Sequence, residues 1–196
     1  MKRSSLIMAL AALAILLIGA GAVWMWRPAP TAPAASDIGG RFTLTDQRGA
    51  RVGEQILRGK WTAVYFGYTF CPDVCPTTLA ALGQAVGELG PRAARFQVVF
   101  ITVDPARDTP AALATYLANP AFPKGAIGLT GSAEQIKAAA GAYRVYFARR
   151  GQGPDYSVDH TSILYLMDPQ GRFVRPIAAG TPASMASQIA QAMDGR

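Results

Sequence analysis

One uncharged apolar run near the amino terminus limits what this chain can fold into more than any other feature. The run extends over 21 residues from Leu6 to Trp26, and as a helix at about 1.5 Å per residue it reaches roughly 31 Å, about the thickness of a bilayer core. Basic residues precede it and tryptophans end it, which favours a cytoplasmic start. We therefore predict a cytoplasmic segment over 1–4 and a transmembrane helix over 5–26, as in a single-pass membrane protein.

A cleaved signal peptide is the alternative, because the start is charged and small residues follow from Gly19 to Ala22. The retained anchor is favoured, since the apolar run is longer than the roughly 7 to 15 residues usual in signal peptides. The prolines of Pro28–Ser36 predict an extended linker over 27–37. Either alternative places the remaining domain, 38–196, outside the cytoplasm, on the periplasmic face of a bacterial inner membrane.

The positive charge of the chain reflects this topology rather than a nucleic-acid partner. The formal net charge is +7 at pH 7, but three of the 19 basic residues, Lys2, Arg3 and Arg27, flank the apolar run. The 16 basic residues that remain are spread along the chain among 12 acidic ones, without a basic cluster. We therefore expect no nucleic-acid binding.

Beyond the linker, short β-rich runs alternate with helical stretches, which predicts an α/β domain with a central sheet flanked by helices. The apolar run Trp61–Tyr68 is typical of a strand buried on both faces. A helix is predicted to begin at Pro76, because proline is favoured at the first helical position and apolar residues recur every three or four positions. The other predicted elements are a hairpin of 42–44 with 51–52, a strand over Phe96–Val103, helices over Pro110–Ala118, Ser132–Ala142 and Thr181–Met193, and a hairpin of Ile163–Met167 with Phe173–Ile177. Ser132 and Gln135 are placed as a capping box at the start of the second of these three helices.

The two cysteines of the chain, Cys71 and Cys75, fall between that buried strand and the helix. The partial positive charge of a helix amino terminus stabilises thiolates, so we expect a lowered pKa for both thiols. Three intervening residues, rather than the two usual in redox pairs, favour binding of a metal ion, although the thiols can still form a disulfide. A purely structural disulfide would close only a tiny loop and would stabilise the fold little.

The only histidine, His160, lies in a predicted loop just before the strand Ile163–Met167. In a sheet whose sequential strands are neighbours, that loop can face the loop that follows Trp61–Tyr68. The imidazole would then complete a metal site with Cys71 and Cys75. The alternative for a lone histidine is a surface or hydrogen-bonded residue.

The small number of cysteines and histidines limits which metal ions the chain can bind. Two cysteines and one histidine cannot build a four-ligand Cys/His zinc site within one chain. Two thiolates and one imidazole suit copper, as Cu(I) with three ligands or Cu(II) with one further ligand. Asp73 and Asp159 are candidates for that further ligand or for orienting the imidazole, and solvated loop carboxylates are the alternative.

At this point the sequence resembles the Sco/SenC family of membrane-anchored, thioredoxin-like copper proteins that help to assemble cytochrome c oxidase. The resemblance covers nearly all of 37–196. It rests on three runs: FGYTFCPDVCPTTL (Phe66–Leu79), ITVDPARDTP (Ile101–Pro110) and VDHTSILYLMDPQGRF (Val158–Phe173). The DPARDT part of the second run has no assigned chemistry, and we interpret it as a helix-entry loop held by an Asp–Arg pair.

The resemblance implies a thioredoxin-like fold in which Cys71, Cys75 and His160 bind one copper ion per chain, Cu(I) or Cu(II). It implies a copper metallochaperone that delivers the ion to the CuA site of cytochrome c oxidase subunit II, with another periplasmic copper carrier as a possible partner. The alternatives are a thiol–disulfide oxidoreductase, in which Cys71 and Cys75 reduce cysteines of the same acceptor, and a redox or copper sensor. Only the oxidoreductase alternative would be an enzyme.

Overall fold

A seven-stranded mixed sheet forms the centre of residues 38–195, the part of the chain that the computed structural model describes. The predicted segments 1–4, 5–26 and 27–37 lie outside these residues. Between 38 and 195 no helix is long and apolar enough to cross a membrane. The strands are β1 Thr43–Asp46, β2 Arg51–Gly53, β3 Trp61–Gly67, β4 Phe96–Thr102, β5 Ile127–Thr130, β6 Phe147–Arg150, β7 Ser157–His160, β8 Leu164–Met167 and β9 Phe173–Ile177.

Four helices pack on this sheet within the described residues: α1 Val74–Glu88, α2 Pro110–Leu117, α3 Ala133–Ala142 and α4 Pro182–Met193. Short 3-10 helices add Glu54–Leu57 and Gly90–Arg95. The strand order in the sheet is β2-β1-β5-β4-β3-β8-β9, and β6 with β7 form a separate two-stranded sheet. The predicted α/β, thioredoxin-like architecture, a central mixed sheet flanked by helices, is confirmed.

The neighbours of β3 decide which loops meet. β3 runs parallel to β4, with Gly67 opposite Thr102, and antiparallel to β8, with Tyr65 opposite Leu164. The ends of β3 and β4 and the beginning of β8 therefore lie at one edge of the sheet. Strand pairing therefore brings the segments that adjoin these ends, which include the cysteines and the histidine, to the same edge of the sheet.

The core has two apolar layers, because side chains of a strand alternate between the faces of the sheet. On one face, Tyr65 of β3 packs in a buried cluster with residues of α1, α2 and α4. On the other face, Val64 and Phe66 pack in a second buried cluster with Ile136 of α3. The prediction of a strand buried on both faces is confirmed.

Most of the predicted elements are confirmed to within a few residues, including the capping box of Ser132 and Gln135 at the start of α3. Helix α1 begins at Val74 rather than at Pro76, so Cys75 lies inside its first turn. β5, β6 and β7 were not predicted. The placement of His160 in a loop is wrong, since this residue ends β7. β6 and β7 pair with each other outside the main sheet. Their sequences, FARR and SVDH, therefore lack the regular alternation of apolar and polar residues that predicts a strand.

Gly67, the last residue of β3, permits close packing behind the cysteines. A Cβ atom at this position would lie 2.8 Å from Cys75 Sγ and 2.8 Å from Phe100 Cε2, closer than van der Waals contact. Both neighbours are fully buried, which leaves them little room to move.

We predict that Gly67→Ala lowers the free energy of unfolding by about 1 to 3 kcal/mol, the usual cost of overpacking a core. Gly87→Ala in α1 is the matched control, because nothing lies within 4 Å of its added Cβ. It should stabilise the protein by up to about 1 kcal/mol through helix propensity. Denaturant unfolding of the reduced protein measures both values, and equal stabilities of the two variants would contradict the packing argument.

Candidate metal centre

Two sulfur atoms and one imidazole nitrogen converge at the sheet edge described above. Cys71 lies in the loop between β3 and α1, Cys75 in the first turn of α1, and His160 at the end of β7. The three possible ligand atoms lie within 4.8 Å of one another, and Cys75 Sγ is 3.4 Å from His160 Nε2. Metal bonds of about 2.3 Å to sulfur and about 2.0 Å to nitrogen bridge such a separation. One ion can therefore bond to both atoms without movement of the backbone.

Backbone hydrogen bonds shape the cysteine loop, which we define as residues 68–73. The amide of Cys71 donates to the carbonyl of Tyr68 over 3.2 Å, and the amide of Cys75 donates to Cys71 Sγ over 3.4 Å. The amide of Cys75 lies in the first turn of α1, where amides have no acceptor within the helix, and it donates to the sulfur of Cys71 instead. This hydrogen bond holds the sulfur of Cys71 beside the first turn of α1.

His160 presents an unprotonated nitrogen to the cysteines. Its Nδ1 lies 3.1 Å from the carbonyl oxygen of Thr161, which can only accept a hydrogen bond, so Nδ1 carries the proton. Burial lowers the pKa of His160, so the imidazole is neutral near neutral pH. The lone pair of Nε2 is therefore directed at Cys75 Sγ, as a metal ligand requires.

Aromatic rings hold the imidazole from the side of the sheet. The ring of Tyr68 meets it edge to face at a centroid distance of 5.8 Å, and Tyr65 does so at 6.5 Å. On the outer side, Pro72, Asp73 and Val74 are exposed and Cys71 is half-buried. A ligand from another molecule thus reaches the centre from the cysteine side.

The two thiols differ in environment, which corrects the expectation that both have a lowered pKa. Cys75 is fully buried, and this burial raises its pKa to about 12. A hydrogen bond from the backbone of Tyr68 acts in the opposite direction but does not outweigh the burial. Cys75 is therefore a protonated thiol in the free protein, and an incoming ion must displace that proton.

Neither candidate carboxylate joins the three ligand atoms in the described residues. Asp73 accepts a hydrogen bond from Thr77 Oγ1 at 3.1 Å. Asp159 pairs with Arg150 at 2.6 Å, and both side chains are more than half exposed. The expected role of these aspartates as further ligands is thus not supported, and both are solvent-exposed carboxylates, Asp73 in the cysteine loop and Asp159 in β7.

Sequence reasoning missed one residue that shapes the site, Asp108. This carboxylate is fully buried and accepts hydrogen bonds from the amide and hydroxyl of Thr69 at 3.0 and 2.6 Å, and from the hydroxyl of Thr102 at 2.6 Å. It fixes the cysteine loop two residues before Cys71. The signal was present in the DPARDT run, but hydrogen-bond partners 39 positions apart cannot be read from spacing.

The donor set limits the chemistry of this centre. Two sulfurs and a neutral imidazole form a soft, three-ligand site. The two sulfurs are also close enough to form a disulfide after side-chain rotation, and both are free thiols in the structure.

Comparisons with known proteins give one consistent result. The sequence model of the family described as SCO1/SenC matches residues 30–194. An SCO2-like protein of Rickettsia felis is 36% identical over 189 residues, which cover 89% of this chain and 91% of that protein. The SCO1-type mitochondrial relatives are longer, and the matched region spans 41% of the Arabidopsis thaliana protein and 47% of the Saccharomyces cerevisiae protein.

Solved structures agree with this result. ScoI of Bradyrhizobium japonicum, determined with copper bound, is 43% identical and has a TM-score of 0.71, with coverage of 78% of this chain and 97% of that one. BsSco, described as a member of the Sco family of cytochrome c oxidase assembly proteins with a disulfide switch, is 25% identical with a TM-score of 0.63 and coverage of 80% and 94%. On the strength of the matched family model and these relatives, the chain belongs to the SCO1/SenC family.

Proposed function

We propose that this protein is a copper metallochaperone that binds one copper ion through Cys71, Cys75 and His160. The observation that carries the proposal is the unprotonated Nε2 of His160, which lies 3.4 Å from Cys75 Sγ with Cys71 beside it. Two sulfurs with one imidazole suit Cu(I) in a three-coordinate site. The copper-bound structure of the related Bradyrhizobium japonicum ScoI supports this choice of metal.

Both cysteines bind copper as thiolates, so loading displaces each proton that a binding thiol carries and requires no change in oxidation state. The buried Cys75 thiol gives up its proton as the copper–sulfur bond forms, while neutral His160 binds without losing one. Unloading reverses these steps by ligand exchange with an acceptor. Because Cys71 is half-buried and Cys75 fully buried, the acceptor replaces Cys71 first and the ion is never released to solvent.

The proposed acceptor is the CuA site of cytochrome c oxidase subunit II. The description of the related BsSco as an oxidase assembly protein supports this. The anchor at 5–26 would hold the domain at the periplasmic face of a bacterial inner membrane, beside the acceptor. Another periplasmic copper carrier would supply the ion.

A thiol–disulfide oxidoreductase is the second candidate, favoured by the free thiols and by the disulfide switch described for BsSco. Cys71 would attack an acceptor disulfide and release one thiol, and Cys75 would then release the second and close the 71–75 disulfide. The acceptor would gain two electrons and two protons. The high pKa of Cys75 slows the second step, because only the thiolate attacks. A redox or copper sensor would use the same ligands and would show normal oxidase assembly in its absence.

Titration of the reduced full chain in detergent with Cu(I), in competition with a chromophoric chelator, tests the ligand set. We expect one ion per chain, and a loss of affinity of more than about a hundredfold in each of Cys71→Ala, Cys75→Ala and His160→Ala, beyond the effect usual for residues that only support ligands. Asp159→Asn is the matched control and should bind as tightly as the unsubstituted protein. Unchanged affinity in His160→Ala would refute the three-ligand site.

The protonation states give a second prediction. At about pH 7 Cys75 is protonated and His160 is neutral, so Cu(I) binding should release about one proton from Cys75 and none from His160, and affinity should rise as pH increases. Calorimetry in buffers of different ionisation enthalpy counts the protons. Cys75→Ala should lower the count by about one, whereas His160→Ala should leave it unchanged; equal counts in these two variants would contradict the assignment.

A further inference from the structure

The loop between β4 and α2, residues 103–109, contacts both segments that carry the ligands but supplies no ligand itself. It contains the whole DPARDT run, for which the sequence indicated only an Asp–Arg pair. That pair exists, because Arg107 Nε donates to Asp104 Oδ2. The same two residues and Asp108 also reach outside the 103–109 loop, to each side of the metal centre.

On the cysteine side, Asp108 is the contact. Its two carboxylate oxygens accept the hydrogen bonds from Thr69 described above, one from the amide and one from the hydroxyl. Because Asp108 is fully buried, these bonds are not exchanged with water. The cysteine loop is therefore fastened to the 103–109 loop just before Cys71.

On the histidine side, the contact is with the tip of the hairpin β6–β7, which lies outside the main sheet and ends at His160. The hydroxyl of Tyr156 donates to Asp104 Oδ1 over 2.5 Å, and Arg107 Nη1 donates to the carbonyl of Pro154 over 3.2 Å. The guanidinium carbon of Arg107 lies 3.6 Å from the centroid of the Tyr156 ring. The hairpin is thus held at its tip by Asp104 and Arg107.

Arg107 connects the two sides. Its guanidinium lies 4.6 Å from the ring of Phe70 in the cysteine loop as well as 3.6 Å from Tyr156 in the hairpin. The side chain is only 15% exposed, and its Nη2 is buried without a hydrogen-bond partner. Stacking on the aromatic rings and the pair with Asp104 hold this cation.

Tyr156 immediately precedes β7, four residues before His160. Each residue of a strand advances about 3.3 Å in one direction, so fixing Tyr156 also limits where His160 can lie. The hairpin also contains an ion pair between Arg150 and Asp159. This pair is exposed and does not involve the 103–109 loop.

We propose that Asp104, Arg107 and Tyr156 are positioning residues for the metal centre, which set the separation of His160 from the cysteines by fastening the hairpin to the cysteine loop through the 103–109 loop. The proposal rests on the proposed function, since a preset separation matters only if one ion bonds to both sides. Preorganisation of this kind raises affinity, because the ion does not have to order the hairpin on binding.

A double-substitution cycle with Cu(I) tests this proposal, using Tyr156→Phe, His160→Ala and the two combined in the full chain. Tyr156→Phe keeps the stacking ring and removes the bond to Asp104; we expect about tenfold weaker Cu(I) binding, in the range found for partners that orient ligands. In the His160→Ala background the same substitution should have no effect, because its influence passes through His160. An effect of equal size in both backgrounds, or no effect in either, would overturn the proposal.

Two further variants separate positioning from general damage to the fold. Arg107→Lys keeps the charge beside Asp104 but loses the planar stacking, and should weaken Cu(I) binding as Tyr156→Phe does. Arg150→Gln is the matched control within the hairpin and should leave the affinity unchanged. Equal weakening by Arg150→Gln would overturn the proposal.

Hydrogen exchange in the metal-free protein distinguishes failure of the inference from failure of the proposed function. Tyr156→Phe should speed exchange of the β6–β7 amides while the amides of β3 and β4 keep their protection. If the unsubstituted protein binds no Cu(I), the proposed function fails, and the exchange result alone decides about the fastening: faster exchange confined to the hairpin supports it, and unchanged exchange overturns it.

Discussion

The pairing of β3 with β4 on one side and β8 on the other is the constraint on which the rest of this structure depends. Because β4 is parallel to β3 and β8 is antiparallel to it, the cysteine loop, the 103–109 loop and the segment that enters β8 lie at one edge of the sheet. Three stretches far apart in sequence thus lie together because the strands pair, and a bound metal is not needed to join them. The entropy lost in bringing them together is offset by the folding of the domain, so it does not weaken ligand binding.

The three candidate ligand atoms differ in how accessible they are to solvent and to a partner protein, because their residues are buried to different extents. Gly67 allows Cys75 to pack directly against β3, so this thiol joins the apolar core and its pKa rises. Cys71 remains half-buried beside the exposed residues of the cysteine loop. A site built this way would bind a soft ion in exchange for thiol protons, with one sulfur accessible to a partner and the other protected.

The parts of this arrangement that depend on a local sequence pattern could be predicted from the sequence. The apolar run of β3 and the capping box of α3 were readable because burial on both faces and helix capping leave marks within a few residues. β6 and β7 were not, since a hairpin that pairs outside the main sheet needs no regular apolar alternation. The raised pKa of Cys75 was not readable either. Helix position favours the thiolate, and only the packed structure shows that burial outweighs it.

His160 is placed by the topology of the fold rather than by its neighbours in sequence. Its strand is mostly polar and belongs to the β6–β7 hairpin, which packs on the core through Val158. The hairpin is also fastened at the tip, through Tyr156, and at the base, where the amide of Tyr146 donates to Thr161 Oγ1. Of the three ligands, then, two belong to the main fold and one to an attached hairpin. The attachments of this hairpin add to the rings of Tyr68 and Tyr65 in fixing the imidazole relative to Cys75. The proposed positioning role therefore couples the strength of these attachments to the strength of metal binding.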